Sequence, residues 1–243
     1  MRNSIKLLGG LLMSSLLAQS ANAVNVSVTA GQADFEMTYA LNTDNINAAG
    51  KTKDAFNYYN LGVSIDRGEY TYGANLTGLL EQGVSEFDTN SGEYLGEYDA
   101  SRSSYSLSVA RALSENLSVS VGYYSAQFLM AGDVASEDDE TNTEALFASL
   151  TYSDRLNDKM FWYGRIGAQL NEAEIIVQTK NHGVLSEKLD GDAIVLGAGI
   201  VYPLSDTANL IFGLEHKDFN YSGTTWDLSE SQTLSTVGYS FQF

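Results

Sequence analysis

Two histidines, His182 and His216, are the side chains of this chain best suited to acid–base chemistry. A hydrolytic site needs a nucleophile, a base and a supporting acid within hydrogen-bond reach. Ser186 follows His182 and Ser222 follows His216, but neither spacing is typical of such a site. We therefore predict no catalytic residue and no enzyme, with a hydrolase as the least favoured alternative.

Acidic runs are the next candidates, as ligands for a cation. Residues 136–140 read Ser-Glu-Asp-Asp-Glu, and residues 88–93 begin like a calcium loop but place Gly92 where an oxygen ligand is needed. Solvated charge runs are commoner than ordered metal sites. The absence of Cys excludes thiolate ligands and disulfides. We predict no metal and no cofactor.

Charged residues inside regularly alternating segments form the third set of candidates. Side chains alternate between the two faces of a β-strand, so these charges belong to the polar faces of their segments if the segments are strands. The set is Asp34, Glu36, Glu69, Glu81, Arg165, Glu215 and Lys217.

The elements that would position these charges are ten segments in which apolar and polar residues alternate. Alternation of period two is typical of β-strands and predicts an all-β fold. The connections between the segments are alternately short and long, and 83–101 is one of the long ones. The segments are 26–42, 56–66, 69–82, 102–112, 116–130, 143–154, 160–178, 190–203, 208–221 and 232–243.

The first segment changes phase near Gly31. Its apolar residues occupy even positions before this point, at Val26 and Val28, and odd positions after it, at Phe35 and Met37. A β-bulge inserts one extra residue into a strand and would produce such a change. We predict a bulge near Gly31, or a strand that starts later.

The amino-terminal residues indicate export. Arg2 and Lys6 precede an apolar run at 7–17, and small residues follow at 21–23, which is the layout of a cleaved signal peptide. We predict a signal at 1–23 and a mature domain at 24–243. The run at 7–17 is too short to span a bilayer as a helix, so only a closed β-barrel could place the mature chain in a membrane.

The carboxyl-terminal residues 233–243 alternate strictly and carry aromatics at Tyr239, Phe241 and Phe243. This ending resembles the final strand of bacterial outer-membrane barrels, whose terminal aromatics are read by the barrel-assembly machinery. Over the whole mature chain the sequence resembles the small barrels of the OmpA, OmpX and OmpW group. The resemblance implies a closed antiparallel transmembrane β-barrel, with ten strands favoured over 8 or 12, in the outer membrane of a Gram-negative bacterium after secretion to the periplasm.

The resemblance extends in strand number to the omptin proteases, which depend on an acidic pair and an Asp-x-His element. That element is absent here, because Lys180 and Leu214 stand two residues before the histidines.

Aromatic residues favour a membrane barrel over a secreted soluble sandwich. They lie next to the short turns and next to the long loops, as two interfacial girdles would. The first group is Tyr70, Tyr72, Tyr152, Trp162, Tyr202 and Phe243, and the second is Tyr39, Tyr59, Tyr105, Tyr123, Phe219 and Tyr221.

In such a barrel the seven charges named above should face the lumen, where they either form an ion-pair network or gate a pore. In the second case Arg165 or Lys217 pairs with a carboxylate across a constriction. Other inward residues are small, which leaves room for water. The excess of carboxylates predicts cation preference. The small inward set is Ser104, Ser106, Ser108, Ala110, Gly197, Gly199, Thr236, Gly238 and Ser240.

Net charge bounds the partners. The formal charge of −18 becomes −20 once Arg2 and Lys6 are removed, and so acidic a chain repels nucleic acid. Expected partners are outer-membrane lipid and lipopolysaccharide, the barrel-assembly machinery and small cations. The expected function is a structural barrel, a narrow cation-preferring channel for small solutes, or both. The alternative is an adhesin or receptor that acts through outer loops such as 83–101.

Overall fold

The computed structural model describes residues 23–42, 47–88, 92, 94–132, 138–179 and 183–243, without some side chains near strand ends. Ten strands form one closed barrel in which sequential strands pair antiparallel and the first pairs with the last, which confirms the predicted fold class and strand count. Most of the predicted signal, residues 1–22, lies outside the described residues. The strands are β1 (Ala23–Asn42), β2 (Asn47–Arg67), β3 (Tyr70–Asp88), β4 (Tyr94–Ala112), β5 (Leu117–Gly132), β6 (Asp138–Asn157), β7 (Met160–Thr179), β8 (Gly183–Ser205), β9 (Ala208–Ser222) and β10 (Trp226–Gln242).

The barrel has two unlike ends. At one, which we call the turn end, the strands are joined by tight turns and the termini meet, since the amide N–H of Phe243 donates to the carbonyl oxygen of Val24 over 2.8 Å. At the other, the loop end, six of the ten strands (β2, β3, β4, β6, β8 and β10) extend at least five residues beyond their predicted limits. The loop predicted at 83–101 is therefore wrong, because β3 extends to Asp88 and β4 begins at Tyr94. None of the described residues form a helix long and apolar enough to cross a membrane.

The outer wall of the turn-end half is apolar, and we call this surface the belt. Its side chains are exposed, with Leu170 at 73% the most open within the strands. Such a continuous apolar surface is rare in a water-soluble protein, whereas acyl chains cover it in a membrane barrel. Members of the belt include Val28, Leu61, Leu76, Leu107, Val121, Leu150, Ile166, Leu170, Ile200, Phe212 and Val237. Leu76, Val121 and Ile166, which lie in the alternating segments 69–82, 116–130 and 160–178, thus face outward.

The phase change in β1 is not a bulge. The pairing of β1 with both neighbours is continuous through Gly31, and Val28 faces outward whereas Phe35 and Met37 are buried inside. In β1, apolar side chains therefore face outward in the belt and inward beyond it, although the register of the strand is unchanged. The same change of face occurs in β9 between Phe212 and Phe219.

The apolar residues that turn inward fill the loop-end half of the lumen. Phe35 on β1 and Phe128 on β5 stack with ring centroids 5.2 Å apart, although these strands lie on far sides of the barrel. Phe56 packs edge-on against Phe35 at 5.8 Å and has 0% exposure. We call this cluster the plug, and its members are Ala33, Phe35, Met37, Phe56, Tyr58, Leu79, Val84, Ala100, Phe128, Met130, Ala173, Ile175, Leu189, Ala193, Phe219, Tyr221, Leu228 and Leu234.

The plug also accounts for part of the second predicted girdle. Tyr59 is exposed on the outer wall, but Phe219 and Tyr221 belong to the plug and Tyr39 packs against it, so these three assignments are wrong. The turn-end group, by contrast, is exposed on the outer wall as predicted, and Tyr152 and Trp162 pack together with ring centroids 5.6 Å apart.

A charge placed in the belt should destabilise the barrel. Ile166→Arg should lower the free energy of unfolding in lipid vesicles by about 2–4 kcal/mol, the cost of a cation near the bilayer midplane. Leu129→Arg is the matched control, because Leu129 is exposed on the outer wall near the loop end and its strand partner is Glu140. We expect a loss of no more than about 1 kcal/mol there. Equal costs at the two positions would contradict the placement of the belt.

Candidate functional site in the barrel lumen

Three of the predicted charges come together inside the barrel. Arg165 on β7 and Glu215 on β9 are both strand partners of Gly197 on β8. A Cβ at Gly197 would lie 3.6 Å from Arg165 Cβ and 3.8 Å from Glu215 Oε2. Because Gly197 has no side chain, the Arg165 guanidinium can reach across β8 and donate to Glu215. Lys217 Nζ lies 2.9 Å from the other carboxylate oxygen of Glu215. The result is a single carboxylate held by two cations.

This cluster lies along the wall rather than across a constriction. Arg165 and Glu215 are separated only by β8. The contact that does cross the lumen is a cation–π contact, in which Lys217 Nζ lies 5.9 Å from the ring centroid of Tyr124 on β5. The geometry is that of an ion-pair network, and a gating role for Arg165 or Lys217 stays a prediction.

A second ion pair, between Arg102 and Glu230, crosses the lumen beside the plug. Both side chains are buried, at 6% and 7% exposure. Arg102 also donates to the Tyr124 hydroxyl over 3.3 Å and lies 5.9 Å from the Phe219 ring centroid, while Gln232 donates to Glu230. Sequence reasoning missed this pair because Glu230 fell in a predicted loop. The only signal was that Arg102 continues the inward series of Ser104 and Ser106.

A cavity of about 320 Å³ lies between the two ion pairs and the small inward residues. Ser104, Ser106, Gly197 and Thr236 line it, which confirms the inward side predicted for them. Tyr58, Tyr163 and Gln169 add polar groups to its wall. The Tyr58 hydroxyl and the Gln169 side-chain oxygen are buried there without a hydrogen-bond partner.

Two of the predicted lumenal carboxylates, Asp34 and Glu36, lie on the outer wall. They alternate with Ala33, Phe35 and Met37, which are buried inside the barrel. Glu36 forms ion pairs with Lys51 at 2.6 Å and with Lys53 at 3.6 Å. The prediction was wrong because the polar face of β1 turns to water, not to the lumen, once the strand leaves the belt.

The remaining two carboxylates do not restore the predicted excess. Glu69 lies in the turn between β2 and β3, 70% exposed, and pairs with Arg111 at 2.9 Å. Glu81 is in β3, but its side chain lies outside the described part of the structure. Around the cavity, cations therefore outnumber carboxylates among the described side chains, which contradicts the basis for predicting cation preference.

His216 lies on the outer wall next to the belt. Its Nδ1 is 2.9 Å from Thr233 Oγ1 and its Nε2 is 3.0 Å from Asp218 Oδ2. Sequence reasoning had considered Ser222 as its partner and missed Thr233, which β10 places directly beside it. Residues 214–218 are paired to strands on both sides, so the described backbone offers no free amide to stabilise an oxyanion. We assign no catalytic role to this contact, and His182 lies outside the described residues.

No described group of three or more His, Asp or Glu side chains is arranged to hold a metal ion. The predicted acidic runs lie largely outside the described residues, since 89–91, 93 and 133–137 are not described.

The closing strand carries the predicted assembly residues. Tyr239 and Phe241 face outward with ring centroids 6.4 Å apart, and Phe243 is 80% exposed at the turn end. Their recognition by the barrel-assembly machinery stays a prediction.

Neither protein-family models nor curated proteins match this chain. Among solved structures, the outer membrane protease OmpT of Escherichia coli superimposes with a TM-score of 0.71 at 11% identity, over 92% of this chain and 98% of that chain. The translocator domain of the autotransporter NalP from Neisseria meningitidis gives a TM-score of 0.44 at 12% identity, over 98% and 96%. Neisserial surface protein A gives 0.40 at 10%, over 91% and 99%. Together with the closed ten-stranded topology, the first similarity shows that this chain has the fold of the small outer-membrane β-barrels.

Proposed function

We propose that the protein is an integral β-barrel of the outer membrane of a Gram-negative bacterium, with a sealed lumen and a structural role in the envelope. The observation that carries this proposal is the plug. Its aromatic rings touch across the lumen, and three of them, Phe35, Phe56 and Phe219, are at most 1% exposed.

A plug of this composition opposes ion passage in two ways. The packed rings of Phe35, Phe56 and Phe128 offer a permeating ion no polar ligand to replace lost water, and the burial of these rings opposes a continuous aqueous path. Beside it, the buried Arg102–Glu230 pair spans the same cross-section. These features support the structural half of the expected function over the channel half.

Planar-bilayer recording tests the sealed lumen. The purified wild-type barrel should insert without producing conductance steps. A triple variant, Phe35→Ala with Phe56→Ala and Phe128→Ala, removes rings that meet at the centre of the plug and should give intermittent steps, which also shows that the barrel inserts. Regular cation-selective steps from the wild type would contradict the proposal and favour the narrow channel.

The same recording separates a network from a gate. Because the plug and not the ion-pair cluster closes the lumen, Arg165→Ala and Lys217→Ala should leave the bilayer as silent as the wild type does. Conductance that appears in either single variant would show that these cations close the pore.

A further inference from the structure

The cavity in the turn-end half of the lumen carries one positive charge too many. Arg102, Arg165 and Lys217 are balanced only by Glu230 and Glu215 among the described side chains around it. Asp66 lies nearer the turn end, where its carboxylate already accepts from Thr71 at 2.6 Å and Asn25 at 3.5 Å. In a chain of net charge −18, an excess of cations around this cavity is not a consequence of composition. An unbalanced charge inside a barrel that is surrounded by hydrocarbon is costly unless a counter-ion accompanies it.

Two buried polar atoms in the wall of the cavity also indicate that it binds a polar molecule. The Tyr58 hydroxyl and the Gln169 side-chain oxygen line the cavity without a partner, although their side chains are 3% and 8% exposed. Leaving a buried donor or acceptor unpaired is costly because the group has lost its hydrogen bonds to water, so such groups usually bind a ligand or an ordered water. Tyr58 on β2 and Gln169 on β7 line the same cavity as Lys217 and Arg165, from opposite sides of the barrel.

The two ends of the lumen differ. The plug closes the loop end, whereas the inward residues between the cavity and the turn end include small side chains such as Ser108 and Ser240. The volume of about 320 Å³ is at the lower limit of ligand pockets in proteins and suits a molecule of roughly ten non-hydrogen atoms.

From these observations we propose that the lumen binds a small oxyanion, a carboxylate or phosphate compound that also carries hydroxyl groups, which enters from the turn end. The anion supplies the missing negative charge beside Lys217 and Arg165. Its hydroxyl groups donate to Gln169 and bond to the Tyr58 hydroxyl. The site is distinct from a channel, because the ligand leaves by the way it came.

Isothermal titration calorimetry on the detergent-solubilised barrel tests this proposal, with citrate and inorganic phosphate as probes and tetramethylammonium as the cationic control. We expect saturable binding of at least one anion with a Kd of about 1 mM or lower, and none of the cation. Tyr58→Phe removes only the hydroxyl and should weaken binding about threefold to tenfold.

Charge variants make the test specific. Lys217→Met removes the excess cation and should weaken anion binding at least about tenfold, whereas Lys217→Arg keeps the charge and should restore it to within about threefold. Glu215→Gln raises the excess charge and should tighten binding about tenfold. Lys53→Met is the matched control, because Lys53 pairs with Glu36 on the outer wall, and it should leave the Kd unchanged. Resistance of each barrel to heat in detergent verifies folding.

The proposal is overturned if neither anion binds the wild type, if Lys217→Met binds as Lys53→Met does, or if Glu215→Gln weakens binding. None of these outcomes bears on the sealed lumen, which the bilayer recording tests. A conducting wild type that still binds citrate through Lys217 would refute the plug as a seal and leave the anion site in place.

Discussion

Replacing Glu230 by Leu should lower the free energy of unfolding by about 3–5 kcal/mol, among the largest effects of any single change in this barrel. Glu230 is the only carboxylate that the described structure pairs with Arg102, and both side chains are buried. Without Glu230, the Arg102 guanidinium stays charged inside the lumen, because it keeps its proton at any accessible pH. Its contacts are then the Tyr124 hydroxyl and the face of the Phe219 ring. A guanidinium chloride titration in lipid vesicles, followed by the fluorescence of the 2 tryptophans, measures the loss.

Two controls separate the buried charge from a general effect of the substitution. Adding Arg102→Met to Glu230→Leu removes both charges and should recover most of the lost stability, because an apolar pair of similar volume avoids the desolvation cost. Glu69→Leu breaks the exposed pair with Arg111 and should cost no more than about 1 kcal/mol. A Glu230→Leu barrel as stable as Glu69→Leu would mean that water reaches Arg102.

The sequence predicted the turn-end half of the barrel well, for a physical reason. There the wall separates hydrocarbon from a polar lumen, so apolar and polar residues alternate cleanly, and tight turns such as the one at 206–207 mark where strands end. The strand count, the faces of Ile166 and Leu170, and the inward position of Ser104 all follow from that alternation.

The loop-end half of the barrel was harder to predict from the sequence. The same alternation occurs there, but in strands such as β1 and β9 the polar residues face outward to water and the apolar residues face inward. Residues 222–231 look like a loop, with Ser229 and Ser231 close to two acidic residues, Asp227 and Glu230. In the structure these serines lie on the water-facing side of β10, while Leu228 and Glu230 point inward and are buried. Period two gives the faces of a strand but not which face is enclosed, and the plug decides that.

The candidate site divides in the same way. Arg165, Glu215 and Lys217 lie on β7 and β9 near the belt, where the polar face of a strand points into the lumen. Their positions in the alternating pattern therefore predicted their orientation correctly. Asp34 and Glu36 lie beyond the belt, where the rule reverses. No local pattern could have paired residues 102 and 230, because β4 and β10 meet only through closure of the barrel.

Truncating the plug at its centre should have the second large effect. Phe35→Ala removes a ring that is 1% exposed and contacts both Phe56 and Phe128, so we expect a loss of about 3–5 kcal/mol in the free energy of unfolding, measured by the same titration. Phe128→Ala should cost a similar amount. Because the two rings stack across the lumen, the double variant should lose less than the sum of the single losses, by at least about 0.5–1.5 kcal/mol.

Phe212 provides the comparison that makes this cycle decisive. It is an aromatic residue of the same type on the belt, 46% exposed and on the opposite face of the wall from the plug. Phe35→Ala and Phe212→Ala should therefore be additive within about 0.5 kcal/mol, whereas Phe35→Ala and Phe128→Ala should not. If both cycles were additive, the rings would not meet, and a lumen with separated rings could hold the continuous water that ion passage requires. The coupling free energy between Phe35 and Phe128 thus reports, at equilibrium, on the closed lumen that the bilayer recording detects as an absence of conductance.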